Sequence, residues 1–161
     1  MIEIYAGQSP IPKVNFQFET MHVPHFIAHH NVNYPPFRMT ERSIELALAD
    51  IFLDQYPRDK VLEIGATTPY YWPHRIKNIV DPTDKHRLVS IKKSFMDIEI
   101  GNYAILSIST FEHIGIADYG LAADKNIVSA ALAKLLAECS DFLVTIPGGY
   151  NPAIPGIKFS S

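Results

Sequence analysis

Cysteine is nearly absent: Cys139 is the one thiol in 161 residues. A lone thiol excludes an internal disulfide framework and leaves a reducing, cytoplasmic setting as the expectation. There is no basic excess, with 14 Lys and Arg against 17 Asp and Glu and a net charge of −3. No block of like charge occurs, so neither a nucleic-acid nor an anionic-membrane surface is expected. Long apolar runs are also missing. The most apolar helical stretch, residues 127–139, is broken by Lys134 and is too short to span a bilayer. The opening MIEIYAGQ carries Glu3 early and lacks the basic-then-apolar order of a secretory signal. What is present is a chain with 47% hydrophobic residues. At this length it buries roughly 70% of the surface its unfolded form exposes, so one domain is expected.

Proline divides the chain. It occurs 12 times, yet never between Thr83 and Ile146. Proline removes a backbone donor and interrupts ladders, so regular core elements should concentrate in the proline-free stretch and in short windows elsewhere. Residues 1–39 mix Pro, His, Asn and aromatics without a sustained period. They are expected to form an irregular arm, with a short strand near Val14 to Phe18, preceding an α/β domain over residues 40–161. Thr40 and Glu41 suit a helix start, and Ile44, Leu48, Ile51, Phe52 and Gln55 follow helical spacing up to Pro57. Strands are predicted at residues 60–66, 78–81, 94–98, 103–109 and 142–146, with a second helix from about Asp124 to Glu138. Near-continuous apolar strands separated by helices and loops predict a mostly parallel sheet covered on both faces.

Ligands of such sheets bind beyond the carboxyl ends of the strands. Those ends carry Glu63 and Gly65, then Asp81 and Pro82, then Asp97, then Ser109 through His113. The spacing G-x-G-x-x-G is absent, because Ala66, Thr67, Thr68 and Pro69 follow Gly65, and no phosphate-binding Lys-Ser/Thr loop exists. A dinucleotide or triphosphate is therefore not expected. Successive acids instead suit a ligand rich in hydroxyl and amino donors and poor in negative charge. Each acid alone reads more readily as a cap or turn residue; their recurrence in order is what points to a site.

The segments VLEIGA, VDPTD, FMDIE, AILSISTFEHIG and FLVTIPGGY resemble the class I S-adenosylmethionine-dependent methyltransferases, in particular small methyltransferase-like proteins of glycan biosynthesis. The resemblance covers roughly residues 40 to 150, and SISTFEHIG at 107–115 is its most specific part. It implies a Rossmann-like sheet and S-adenosylmethionine as cofactor. It places Glu63, Gly65 and Ala66 in the first cofactor motif, Asp81 and Pro82 at the ribose, and Asp97 and Ile98 at the adenine. Ser109 and Thr110 would line the methionine end, with Glu112 and His113 catalytic on the approach to a small acceptor such as a sugar or glycan precursor. The chain departs from the family at the glycine loop, reduced to Gly65, and in its short first crossover, residues 66–80. Only residues 148–161 follow Pro147, where the family fold continues with a helix and two strands. About five strands of seven are thus expected, from a shortened member or a fragment.

His22, His25, His29 and His30 could ligate a metal, but no cysteine or suitably spaced acid joins them, and no metal site is assigned. Tyr70, Tyr71 and Trp72 read as a packing plug in place of the missing helix or as an aromatic platform. His113 reads as a general base for an acceptor hydroxyl or as a positioned hydrogen-bond partner. Cys139 reads as core. Two functions stay open: methyl transfer to a small acceptor, or a non-catalytic domain of that fold acting in assembly. An apolar fifth strand left open at the sheet edge would favour a homo-oligomer.

Overall fold

The computed structural model describes residues 2–6, 41–117, 119–147, 151 and 154. In chain order these build β1 (Ile2–Ala6), α1 (Glu41–Leu53), β2 (Val61–Ile64), β3 (Asn78–Val80), β4 (Ala104–Ile108), α2 (Ile127–Glu138) and β5 (Phe142–Pro147). Single 3-10 turns lie at Thr68–Tyr70, Phe95–Asp97 and Phe111–His113. The strands form one five-stranded sheet in the order β1-β5-β4-β2-β3. Its four strands β3, β2, β4 and β5 run parallel, and β1 joins β5 antiparallel, with Ile2 opposite Pro147 and Ala6 opposite Leu143.

Both faces of the parallel strands are covered, which is why they read as apolar runs rather than alternations. Val61, Leu106 and Leu143 face α1, where Leu46, Leu48, Ala49, Phe52 and Leu53 pack. Leu62, Ile105 and Val144 face the other way, onto Ala131 and Leu135 of α2 and onto Phe95 and Phe111. The period of two along each strand assigns the faces. α2 starts at Ile127, later than the apolar spacing predicts. The cause is Asp124, whose carboxylate accepts from the Asn126 N–H at 3.0 Å and holds a turn there.

Three expectations are corrected. Residues 94–98 are no strand: Ser94 caps the turn by accepting from Met96 N–H at 3.2 Å, and Phe95 buries its ring edge-on against Phe111. The place beyond β3 is instead taken by Ile91, a single parallel bridge to Val80. There Ser90, Lys92 and Lys93 are exposed, so no two-sided apolar run exists to extend it. Second, the beginning of the chain is not all irregular, since Ile2–Ala6 is a strand; residues 7–40, with the strand predicted near Val14 and the cap at Thr40, lie outside the described residues. Third, β5 is no open edge, because β1 pairs with it, and the basis for a homo-oligomer through that strand is gone.

Candidate functional site

The chain passes from β2 outward to β3, then returns to the other side of β2 to enter β4. That reversal is a topological switch point, and it opens at the carboxyl ends of β2 and β4. β2 leaves the sheet at Gly65, whose φ is +83°. A Cβ there would lie 2.0 Å from Thr110 Oγ1, so the turn requires glycine both for its backbone and for the approach of Thr110. Side chains stitch the loop to β4. Thr67 Oγ1 donates to the Ile108 carbonyl at 3.2 Å, as does Thr110 Oγ1 at 3.1 Å, and Ser107 Oγ donates to the Ile64 carbonyl at 3.0 Å.

Glu63 shares the face of Val61 and points toward the α1 layer, fully buried. Its Oε1 accepts from the N–H groups of Thr67 at 3.0 Å and Thr68 at 2.7 Å, and its Oε2 from the Thr68 hydroxyl. Burial pushes its carboxyl up to about 7, against the pull of the Thr68 and Thr67 hydrogen bonds and the Arg42 charge. Glu63 therefore shapes the loop from beneath and does not face a ligand at the rim.

Asp81, half-buried at the end of β3, holds the neighbouring turn. Its Oδ1 accepts from the N–H groups of Thr83 at 2.8 Å and Asp84 at 2.7 Å and from the Thr83 hydroxyl, while Oδ2 accepts from Ala66 N–H at 3.2 Å. The rim thus brings Gly65, Ala66, Asp81 and Thr110 together, with Pro82 exposed beside Asp81. Tyr70 reaches over this turn, its hydroxyl donating to both Asp84 oxygens at 3.1 and 3.0 Å. Burial, then the Asp84 hydrogen bond and the charges of Asp84 and Asp81, push its phenol up and keep it a donor.

Sequence reasoning missed a polar cluster on the α1 side. Ser109 takes a left-handed φ of +44° and donates its hydroxyl to Glu45, and its N–H bonds the Thr145 carbonyl at 3.0 Å. Thr145 Oγ1 also donates to Glu45 Oε1, at 2.8 Å, and Arg42 Nη1 lies 3.4 Å from Glu45 Oε2. The legible signal was an acid at position 45 on the apolar stripe that Leu48, Ala49 and Phe52 continue. A buried carboxylate on such a face needs partners, and β4 and β5 supply them.

Beyond Thr110 the 3-10 turn carries Glu112, buried, and His113, one-quarter exposed. His113 Nε2 lies 3.8 Å from Glu112 Oε1, and its ring meets Tyr119 edge-on at 5.1 Å. Asn151 Nδ2 braces this turn through the Ile114 carbonyl at 3.0 Å. Asp97 is exposed and Ile98 half-buried against the α2-side core; no hydrogen bond among the described residues joins Asp97 to Asp81 or Glu63. Two clefts, of about 650 and about 400 Å³, open at the opposite, amino-terminal ends of the strands and share Lys60, Asn102 and Tyr103.

Comparison of the chain with protein-family models, with curated proteins and with solved structures finds no match. Among the described residues, no helix is long and apolar enough to cross a membrane, and no three His, Cys, Asp or Glu side chains converge on a metal position. His22, His25, His29 and His30 lie outside the described residues.

Proposed function

We propose that the rim at the carboxyl ends of β2, β3 and β4 is an S-adenosylmethionine site and that the protein methylates a small acceptor, with a sugar or glycan precursor as the acceptor class. The single observation that carries the reading is the switch point between β2 and β4, with the Ala66 N–H bonded to the Asp81 carboxylate on its β3 side. The residues suit the cofactor at its nucleoside end. Asp81 and Pro82 would receive the ribose, and Ala66 offers backbone at close range. Asp97 and Ile98 belong to the adenine end on the strength of the resemblance alone. Thr110 would line the methionine end together with the Ser109 backbone, the Ser109 hydroxyl being held by Glu45.

The bound cofactor supplies a methyl group already activated on sulfonium, so alignment provides most of the catalytic effect. His113 would accept the proton that leaves the acceptor hydroxyl as the methyl group passes from sulfur to oxygen and S-adenosylhomocysteine departs, with the buried Glu112 carboxylate 3.8 Å from its Nε2. Titration calorimetry with S-adenosylmethionine and S-adenosylhomocysteine tests the reading. Saturable binding of both is expected; no heat at millimolar ligand with folded protein overturns it.

A second reading draws on Thr110, whose side chain covers Gly65 where a ligand would approach the backbone. On that reading the fold persists as a non-catalytic domain that binds a partner. The same titration separates the two, because a rim closed by Thr110 takes up neither compound.

A further inference from the structure

The three aromatics at 70–72 divide into two roles. Tyr71 and Trp72 are half-buried against the α1-side core and act as packing. Tyr70 turns outward and is 55% exposed. Its ring is nevertheless held at two points. The hydroxyl is fixed on Asp84, and the ring edge meets His86 with centroids 4.8 Å apart. Asp84 is itself tied down, its N–H to Asp81 and its Oδ1 to His86 N–H at 2.6 Å. A surface tyrosine without such anchors keeps its rotamer freedom, and a ligand stacking on it must remove that freedom. Tyr70 has lost it already, with the ring presented to solvent beside a carboxylate.

Asp81 Oδ2 accepts one bond, from Ala66 N–H, and a carboxylate oxygen has room for a second. A fixed aromatic ring whose anchor, Asp84, is bonded through its own N–H to a carboxylate with spare acceptor capacity complements a flat ring joined to a diol. We infer that Tyr70 is the stacking platform for a nucleoside whose ribose hydroxyls bond Asp81. The inference rests on the reading of this rim as a cofactor site and names the residue that holds the base.

Titration calorimetry with adenosine and with S-adenosylhomocysteine on the full chain, Tyr70→Ala and Tyr70→Phe tests it. Tyr70→Ala should bind both compounds roughly tenfold more weakly or worse, the scale of a lost base–aromatic stack. Tyr70→Phe, which keeps the ring and loses only its Asp84 anchor, should lie between that variant and the unmodified chain. Equal affinity for the unmodified chain and Tyr70→Ala overturns the role of Tyr70 while leaving the cofactor reading intact. No binding of either compound by the unmodified chain overturns the cofactor reading and the platform with it. If Tyr70→Ala fails to fold, Tyr70→Leu keeps apolar bulk without a π-face, and unchanged affinity in it overturns the platform equally.

Discussion

A carboxyl group enclosed between sheet and helix persists only while its oxygens are satisfied, and Thr67 and Thr68 do this for Glu63. The unfolded chain ionises this group near 4.5, whereas burial raises it to about 7 in the fold. Between those values the folded state binds the extra proton, so Glu63 contributes stability that is complete below about 4.5 and lost as pH rises through 7. At about 1.4 kcal/mol per pKa unit, the loss is on the order of 3 kcal/mol. Glu63→Gln keeps an acceptor for the two N–H groups and cannot ionise. Urea unfolding of both proteins from pH 4.5 to 8 should show the difference between them changing across that window in favour of the variant. A constant difference refutes the assignment. Gly65 makes a steric prediction of the same kind. Gly65→Ala meets both a left-handed φ of +83° and Thr110 Oγ1 at 2.0 Å, so a loss of about 2 kcal/mol or more is expected. Thr110→Ala in the same chain should restore part of it, because it removes the nearest atoms. Additive losses in the double variant would show that the two residues do not meet.

At the scale of elements, legibility followed burial. The strands β2, β4 and β5 were plain in the sequence because each is buried on both sides and mostly apolar, and both helices were plain because one face is apolar. The turn at Phe95–Asp97 was misread as a strand because Phe95, Met96 and Ile98 are apolar at short range. What decides there is the Ser94 cap and the edge contact with Phe111, a partner distant in sequence. β1 was missed for the complementary reason: its strand identity comes from pairing with β5 at the other end of the chain. The acids Glu63 and Asp81 were legible as strand ends, but not that Glu63 would turn inward; the parity of its position relative to Val61 carried that information. Glu45 was legible as an acid on an apolar stripe, but its partners were not, because Ser109 and Thr145 lie far along the chain. The pairing of β1 with β5 also predicts behaviour. Removing residues 1–6 uncovers the hydrogen-bonding edge of β5, whose residues Phe142 to Ile146 are buried. Such an edge recruits other strands. Light scattering should show a larger, concentration-dependent mass for the shortened chain than for the full one, and identical masses would contradict the capping role of β1.

For the molecule as a whole, the question is whether its two cores melt as one. Phe52 anchors the α1 side and Phe111 the α2 side, both fully buried, and no residue of one cluster belongs to the other. What joins them is the sheet: neighbouring residues of the same strand, such as Leu62 and Val61, serve opposite faces. Loss of packing on one face should therefore loosen the strands that the other face depends on. Phe52→Ala and Phe111→Ala are each expected to destabilise by about 3–5 kcal/mol, the range for deleting a buried aromatic ring. The chain has one tryptophan, Trp72, and it packs on the α1 side, so its fluorescence reports that layer alone. Far-ultraviolet circular dichroism reports both. In Phe111→Ala, whose cavity lies across the sheet from Trp72, the two signals should shift to lower denaturant together and stay coincident, as a two-state transition requires. A dichroism midpoint that falls while the Trp72 midpoint stays in place would mean that the α2 layer unfolds by itself. The rim between the layers, where Glu63 and Ser109 face α1 while Phe111 leads into Glu112 and His113, would then be held from one side only.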